Sequence, residues 1–199
     1  MPSGEDKAWE LIKDLDPADV CRNARAAFDD HSRSYILKSF GMDIYIDPQN
    51  KKLHCDGPNA TLLLEKIGYF SKMSILWYLV GARDIPLSGS LIKPENLKDG
   101  LIFFKGTHVL PLDRLASRYN DDKERFLSRG EELGGERVDY GDASVRLFPF
   151  PRVPVVIILH RGDDEFPPSA DLLFYSTCEF HLPLDVLWAV AMQSILIMM

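Results

Sequence analysis

Five consecutive aliphatic residues, Val155-Val156-Ile157-Ile158-Leu159, constrain the fold more than any other stretch of the chain. The run is short for a helix and mostly β-branched, so it predicts a strand with both faces out of water. Five of the thirteen prolines lie between Pro149 and Pro168 and frame it with bends that cannot donate to a ladder. Upstream, the segments Arg137–Tyr140 and Ser144–Phe148 flank Gly141-Asp142 and read as a hairpin. Downstream, Leu172–Thr177 reads as a last strand. The run ends at His160 and delivers an acidic turn, Gly162-Asp163-Asp164-Glu165, to the sheet rim.

The remaining pattern supplies helices and a second set of strands. Asp16 suits an N-cap and Pro17 the first helical position. Val20, Ala24, Ala27 and Phe28 then continue a core-facing stripe, and Trp9, Ile12 and Leu15 mark a shorter amphipathic segment before it. The runs Tyr35–Phe40, Met42–Ile46 and Lys51–Cys55, the last two joined by Asp47-Pro48-Gln49-Asn50, read as a small meander. Asn59 is expected to cap a broad apolar helix that reaches Val80 and stops at Gly81. Gly68, inside that helix, implies close approach of another backbone. Leu101-Ile102-Phe103-Phe104 reads as a short buried strand. Helices follow from near Pro111 and over Asp121–Leu133, the latter stopped by Gly134-Gly135, and a terminal helix starts at Leu184. The expected fold is α+β, a mixed but mainly antiparallel sheet with helices packed on one face, in a single domain over residues 1–199.

Charge and cysteine usage exclude several functions. A net charge of −7 argues against nonspecific nucleic-acid binding, which depends on Lys and Arg neutralising phosphates. Cys21, Cys55 and Cys178 are odd in number and widely spaced, so neither a disulfide framework nor a C-x-x-C site is expected, and a cytoplasmic location is the simplest account. The polar start, Met1-Pro2-Ser3-Gly4-Glu5-Asp6, is no signal peptide. Leu184–Met199 is the most apolar segment, yet it falls short of the roughly 20 residues of a membrane span. No membrane contact is expected.

Chemistry has few candidates. Asp163, Asp164 and Glu165 are a candidate site for a divalent metal, since hard cations take oxygen ligands, set against the more ordinary reading of solvated residues on a turn made by Gly162. His108 sits two residues after Gly106 at a turn into a helix, an accessible place for a ligand or general base, set against the reading of a helix-start residue whose ring bonds backbone. His160 ends the buried strand beside the acidic turn, where a pair with Asp163 would fit acid–base geometry and a rim residue is the other reading. Arg83-Asp84 can anchor an anion or form a helix-end ion pair, which makes Arg83, with His160, a candidate for cofactor binding. His54 and Cys55 are adjacent on a strand and point to opposite faces, so they cannot share a metal. Cys178 and His181 stand three apart and are weighed as a thiol–base pair against a buried small hydrophobe. Trp77-Tyr78 and the methionines 192, 198 and 199 can line an apolar ligand site, although helical spacing favours core. The terminal helix is apolar on nearly every side, which calls for a protein partner, self-association or complete cover by the domain itself. No G-x-S-x-G, G-x-x-x-x-G-K-[ST] or G-x-G-x-x-G motif occurs.

The order of signals resembles an uncharacterised family of bacterial and archaeal proteins, domain of unknown function 3786. The resemblance is carried by Gly106 and His108 before Leu110-Pro111, by Leu133-Gly134-Gly135, Gly141-Asp142 and Pro149, and by Gly162-Asp163-Asp164-Glu165-Phe166-Pro167 with Leu173-Phe174. It implies no reaction and no catalytic residue. Some relatives carry a cysteine-rich iron–sulfur domain in organisms where corrinoid-dependent metabolism is common; this chain has no four-cysteine cluster, so iron–sulfur chemistry would belong to a partner. The favoured expectation is a noncatalytic accessory or binding module, linked to corrinoid or iron–sulfur metabolism through the resemblance alone. The alternative is a metal-dependent or acid–base enzyme centred on His108 with Asp163, Asp164 and Glu165.

Overall fold

Residues 4–199 are described by a computed structural model, and Met1–Ser3, at the polar N-terminus, lie outside the described residues. The strands form two sheets where the sequence suggested one. The first is a meander of β1 (Ala27–Asp29), β2 (Ser34–Ser39), β3 (Met42–Asp47) and β4 (Lys52–Cys55). The Asp47 carboxylate closes its last turn by accepting from the backbone and side-chain nitrogens of Asn50. The second sheet contains β5 (Leu91–Ile92), β6 (Glu136–Val138), β7 (Ala143–Phe150), β8 (Val153–His160) and β9 (Ser169–Tyr175), in the order β5-β9-β8-β7-β6. Every pairing among the described residues is antiparallel, so the sheets are not mixed.

β8 is the interior strand that the aliphatic run requires, buried from Val153 to Leu159. Its inner side chains, Val155, Ile157 and Leu159, join the core. Val156 and Ile158 lie on the other face, flanked in register by Arg146 and Ser144 on β7 and by Leu173 and Asp171 on β9. Helices cover only the inner face, so long polar side chains close over these two residues. The register of β7 against β8 slips between Leu147 and Phe150, where Pro149 and Pro154 lack ladder donors. At that irregularity the Phe148 carbonyl accepts from Phe40 N at 2.9 Å and ties the second sheet to the first.

A second tie lies nearby. Gly41 and Gly134 both take left-handed φ, and a Cβ on Gly134 would lie 2.8 Å from Gly41 Cα. Leu133-Gly134 therefore marks a crossing of two backbones that any side chain would push apart. The close approach expected at Gly68 is absent, since a Cβ there would meet only the Lys72 side chain. Gly68 instead opens α3 (Gly68–Gly81) after a turn of π-helix, Leu62–Lys66. The Leu63 carbonyl in that turn accepts from Ser71 Oγ, so the break in the α-helical ladder leaves no orphan acceptor there. Asn59 does not cap with its side chain, which accepts from Arg129 Nη2 at 3.0 Å.

α1 (Gly4–Lys13) packs along α3, where Trp77 Nε1 donates to the Gly4 carbonyl at 3.1 Å. With Tyr78 fully buried, the Trp77-Tyr78 pair is core and tether, not a ligand wall. α2 (Pro17–Ala24) is capped by the Asp16 carboxylate, which accepts from Ala18 N and Asp19 N. It ends where Arg25 turns left-handed, so Ala27 and Phe28 belong to β1 and not to the helix. α4 is Gly100–Phe103, α5 is Leu112–Tyr119, α6 is Lys123–Glu132 and α7 is Leu184–Met198. α5, α6 and α7 pack on the inner face of the second sheet. α7 also lies against α3 and is buried nearly all round by the chain itself. One half-buried apolar stripe remains on it, Leu184, Trp188, Met192 and Leu196, at four-residue spacing.

One side chain joins these layers. Arg152, in the turn between β7 and β8, is 4% exposed. Its Nε donates to the Asn23 carbonyl, its Nη1 to the Ile85 carbonyl at 2.9 Å, and its Nη2 to the Arg22 carbonyl at 3.0 Å and to the Asp84 carboxylate. Arg22 and Asn23 end α2, so the guanidinium also sits at the negative end of that helix. The Tyr78 hydroxyl accepts from Arg152 N at 3.1 Å and donates to the Ala24 carbonyl at 3.0 Å, while its ring stacks on Phe150 at 4.4 Å. Burial raises the Tyr78 pKa far above its ordinary value, which keeps the hydroxyl a donor. Asp84 thus pairs with Arg152 and not with its neighbour Arg83. Arg152→Met, which strands three carbonyls, is predicted to cost roughly 3 kcal/mol in urea unfolding. Asp84→Asn should cost less than about 1 kcal/mol, because that carboxylate faces water.

Candidate functional site

An exposed apolar surface gathers where α3, α4 and the turn after α4 meet α7. Asp99 takes a left-handed φ of 62° and Gly100 leaves no room for a Cβ against the Pro94 carbonyl, so the chain turns tightly into the four-residue α4. Leu101-Ile102-Phe103-Phe104 is therefore not the buried strand expected from its composition. Phe104 is buried, but Ile102 is 84% exposed and Leu101 56%. A short apolar run does not itself choose between helix and strand. The preceding Asp-Gly pair decides it here.

Aromatic rings form the floor of this surface. His108, in the 3₁₀ turn Gly106–His108, stacks on Phe103 at 4.1 Å and meets Trp188 of α7 edge-on at 4.9 Å. Phe70 closes on the other side of Trp188 at 5.3 Å, and Tyr69 on Phe70 at 5.3 Å. Each contact is an edge or stacked geometry favoured by ring quadrupoles. Tyr69, Leu101, Ile102 and Val109 stand exposed around these rings. His108, the base candidate, is thus an aromatic plate between two rings. Tyr69, Phe70, Ile102 and Trp188 did not stand out as functional in the sequence, because helical spacing assigned the first two to core and the tetrapeptide to a strand.

The acidic turn lies in different surroundings. Asp163 folds back on its own loop, its carboxylate accepting from Glu165 N and Phe166 N at 2.8 Å each. Those two amides hold its pKa below the usual carboxylate value. The turn is anchored by Asn120, which accepts from Gly162 N at 2.8 Å. The hollow beside it is lined by Asn120 and residues 162–168 and shares no residue with the ring cluster around His108. Among the described residues no three His, Cys, Asp or Glu side chains gather as a metal set. Asp163, Asp164 and Glu165 therefore do not converge as ligands, because adjacent side chains diverge and the first is spent on backbone amides. The metal-dependent or acid–base alternative loses the shared pocket it requires.

His160 also finds a different partner. Its Nε2 lies 3.5 Å from Asp171, which Lys93 holds at 2.7 Å, on the outer face of the second sheet. Pairing of His160 with Ser169 places Asp171 two residues away on that same face, whereas Asp163 has turned back into its loop. Arg83 is exposed, and its backbone N donates to His181 Nδ1 at 3.2 Å. His54 is exposed beside Asp56 at 3.1 Å while Cys55 is buried, as strand alternation requires. Cys21, Cys55 and Cys178 lie on three separate elements and in no common cluster, so they do not fit an iron–sulfur centre.

Cys178 and His181 are neighbours without being a nucleophilic pair. Burial pushes the Cys178 thiol up to about 12, and the His181 Nδ1 is occupied by Arg83 N. His181 is 3% exposed, and burial, then the Arg152 and Arg83 charges, pull its pKa down to about 4. The unfolded chain therefore binds a proton that the folded chain refuses. The stability His181 contributes is complete above the ordinary value of 6.5 and is lost as pH falls from there toward about 4. His181→Asn should flatten the pH dependence of the urea midpoint in that window. An unchanged slope would show that His181 is not the group titrating.

Over residues 16–196 the chain matches the family described as Domain of unknown function (DUF3786), and it belongs to that family. No curated protein and no solved structure matches it. Among the described residues no helix is long and apolar enough to cross a membrane.

Proposed function

We propose that this family member is a noncatalytic, cytoplasmic protein-binding module, and that the ring cluster with Tyr69, Leu101, Ile102 and Val109 is its contact face. One observation carries the reading: four large apolar side chains stand exposed on the same short segments that carry an interlocked aromatic cluster. Exposed apolar groups clustered in this way, on a well-packed base, have the composition of an interface centre. The adjacent lysines supply the rim. Lys66 precedes Tyr69 by one turn and Lys105 follows Phe104, and both are exposed without an ion pair among the described residues.

An apolar partner face edged with acidic residues matches that surface, whereas a two-fold contact between copies would bring lysines of both to one rim. With a net charge of −7, nucleic acid is not the partner proposed. Any iron–sulfur chemistry linked to the family would reside in the partner, since the three cysteines here lie in no common cluster.

A photo-crosslinker placed at Ile102, with Tyr140 on the far sheet edge as control, identifies the partner in extract, and the purified pair is then titrated. Ile102→Asp and Tyr69→Ala should each weaken binding about tenfold or more without lowering the melting temperature. Equal crosslinking from Tyr140, or affinity unchanged by both substitutions, would refute this face. A dimer that Ile102→Asp makes monomeric would name a second copy as the occupant instead.

A further inference from the structure

Near the C-terminal end of α7, α5 and α6 border a cleft of about 380 Å³ that the ring face does not use. Arg118, Arg125, Ser128 and Arg129 line it, together with Tyr119 and Met198. Three arginines around one cavity call for a physical reason in a chain of net charge −7, because like charges at short range repel.

Arg129 has such a reason. Its Nε and Nη2 donate to the Ile197 carbonyl at 3.2 and 2.8 Å, its Nη2 also to Asn59, and its Nη1 to Glu132 at 3.1 Å. The Tyr119 hydroxyl donates to the Met198 carbonyl beside it. Together they satisfy the last carbonyls of α7 and make that wall rigid. Glu132 is thereby engaged by Arg129 and is not left to neutralise the other two arginines.

Arg118 and Arg125 are not accounted for in this way. Neither guanidinium has a hydrogen bond or an ion pair among the described residues, and that of Arg118 lies over the Tyr119 ring, 5.9 Å from its centroid. Each presents a planar fork of donors suited to paired oxygens. We propose that the cleft binds the phosphoryl group of a small molecule, held between Arg118 and Arg125, with Ser128 Oγ as a further donor and Arg129 as the fixed wall. Charge selects phosphate over carboxylate: a dianion neutralises both free guanidinium groups, and a monocarboxylate leaves one uncompensated. The volume suits a small ligand, not a macromolecule.

Calorimetric titration of the full chain with inorganic phosphate, pyrophosphate and acetate, at fixed ionic strength, tests the assignment. Phosphate or pyrophosphate should bind at one saturable site, weakened roughly ten- to hundredfold by Arg118→Ala or Arg125→Ala. Arg114→Ala, exposed on the same helix but outside the cleft, should leave binding unchanged. All three variants should melt like the parent, since none of these side chains holds another part of the fold. Absence of saturable binding would overturn the proposal, as would equal weakening by Arg114→Ala, which signifies diffuse attraction. Acetate binding as tight as phosphate would overturn the phosphoryl assignment.

Discussion

The Arg152 guanidinium, buried where α2, α3 and the second sheet converge, holds the end of α2, the loop after α3 and the β7–β8 turn in one arrangement. None of these segments has a regular ladder to the others. Their carbonyls would be stranded in the interior without a donor, and a single planar cation with five donors satisfies them from one point. Tyr78 extends the join by a hydroxyl that bridges Arg152 N to the Ala24 carbonyl. Because Tyr78 lies on α3, the knot fixes the axis of the helix whose first turn carries Tyr69 and Phe70. The proposed contact face thus inherits its geometry from a polar centre deep in the fold.

The layers above this centre give each surface a distinct character. Helices occupy only the inner face of the second sheet, leaving its outer face to the Arg146–Glu136 and Lys93–Asp171 ion pairs, with His160 beside Asp171. α7 is sandwiched between α3 and that sheet, so its apolar circumference is mostly satisfied internally. What remains is the stripe through Trp188, which becomes part of the ring floor, and the helix end, which borders the arginine cleft. The same helix therefore borders an apolar surface near its start and, at its end, a cleft whose arginines come from α5 and α6.

Much of this architecture is legible in the sequence because it rests on local periodicity. The β2–β4 meander, the strand from Val153 to His160 and the Asp16 cap follow from alternation, turn chemistry and capping. The features that escape are those made by distant segments. Arg152 stands alone between two prolines, with partners more than sixty residues away, and no spacing rule announces it. Gly68 is a helix start after a π-turn, while the true backbone crossing involves Gly134, which reads only as a helix stop, and Gly41, which no sequence signal singles out. The acidic turn was conspicuous by composition, yet its leading carboxylate serves its own loop. His160 shows that antiparallel register decides a partner: two residues along β9 matter more than three along the chain.

Native-state hydrogen exchange on Arg152→Met beside the parent chain tests the central claim most directly. If Arg152 is the common join, amide protection should fall together in α2, in the last turn of α3 and at the start of β8, by a similar free energy in each, since they would open as one unit. Loss of protection confined to residues 151–153, with α2 and α3 unchanged, would contradict the account.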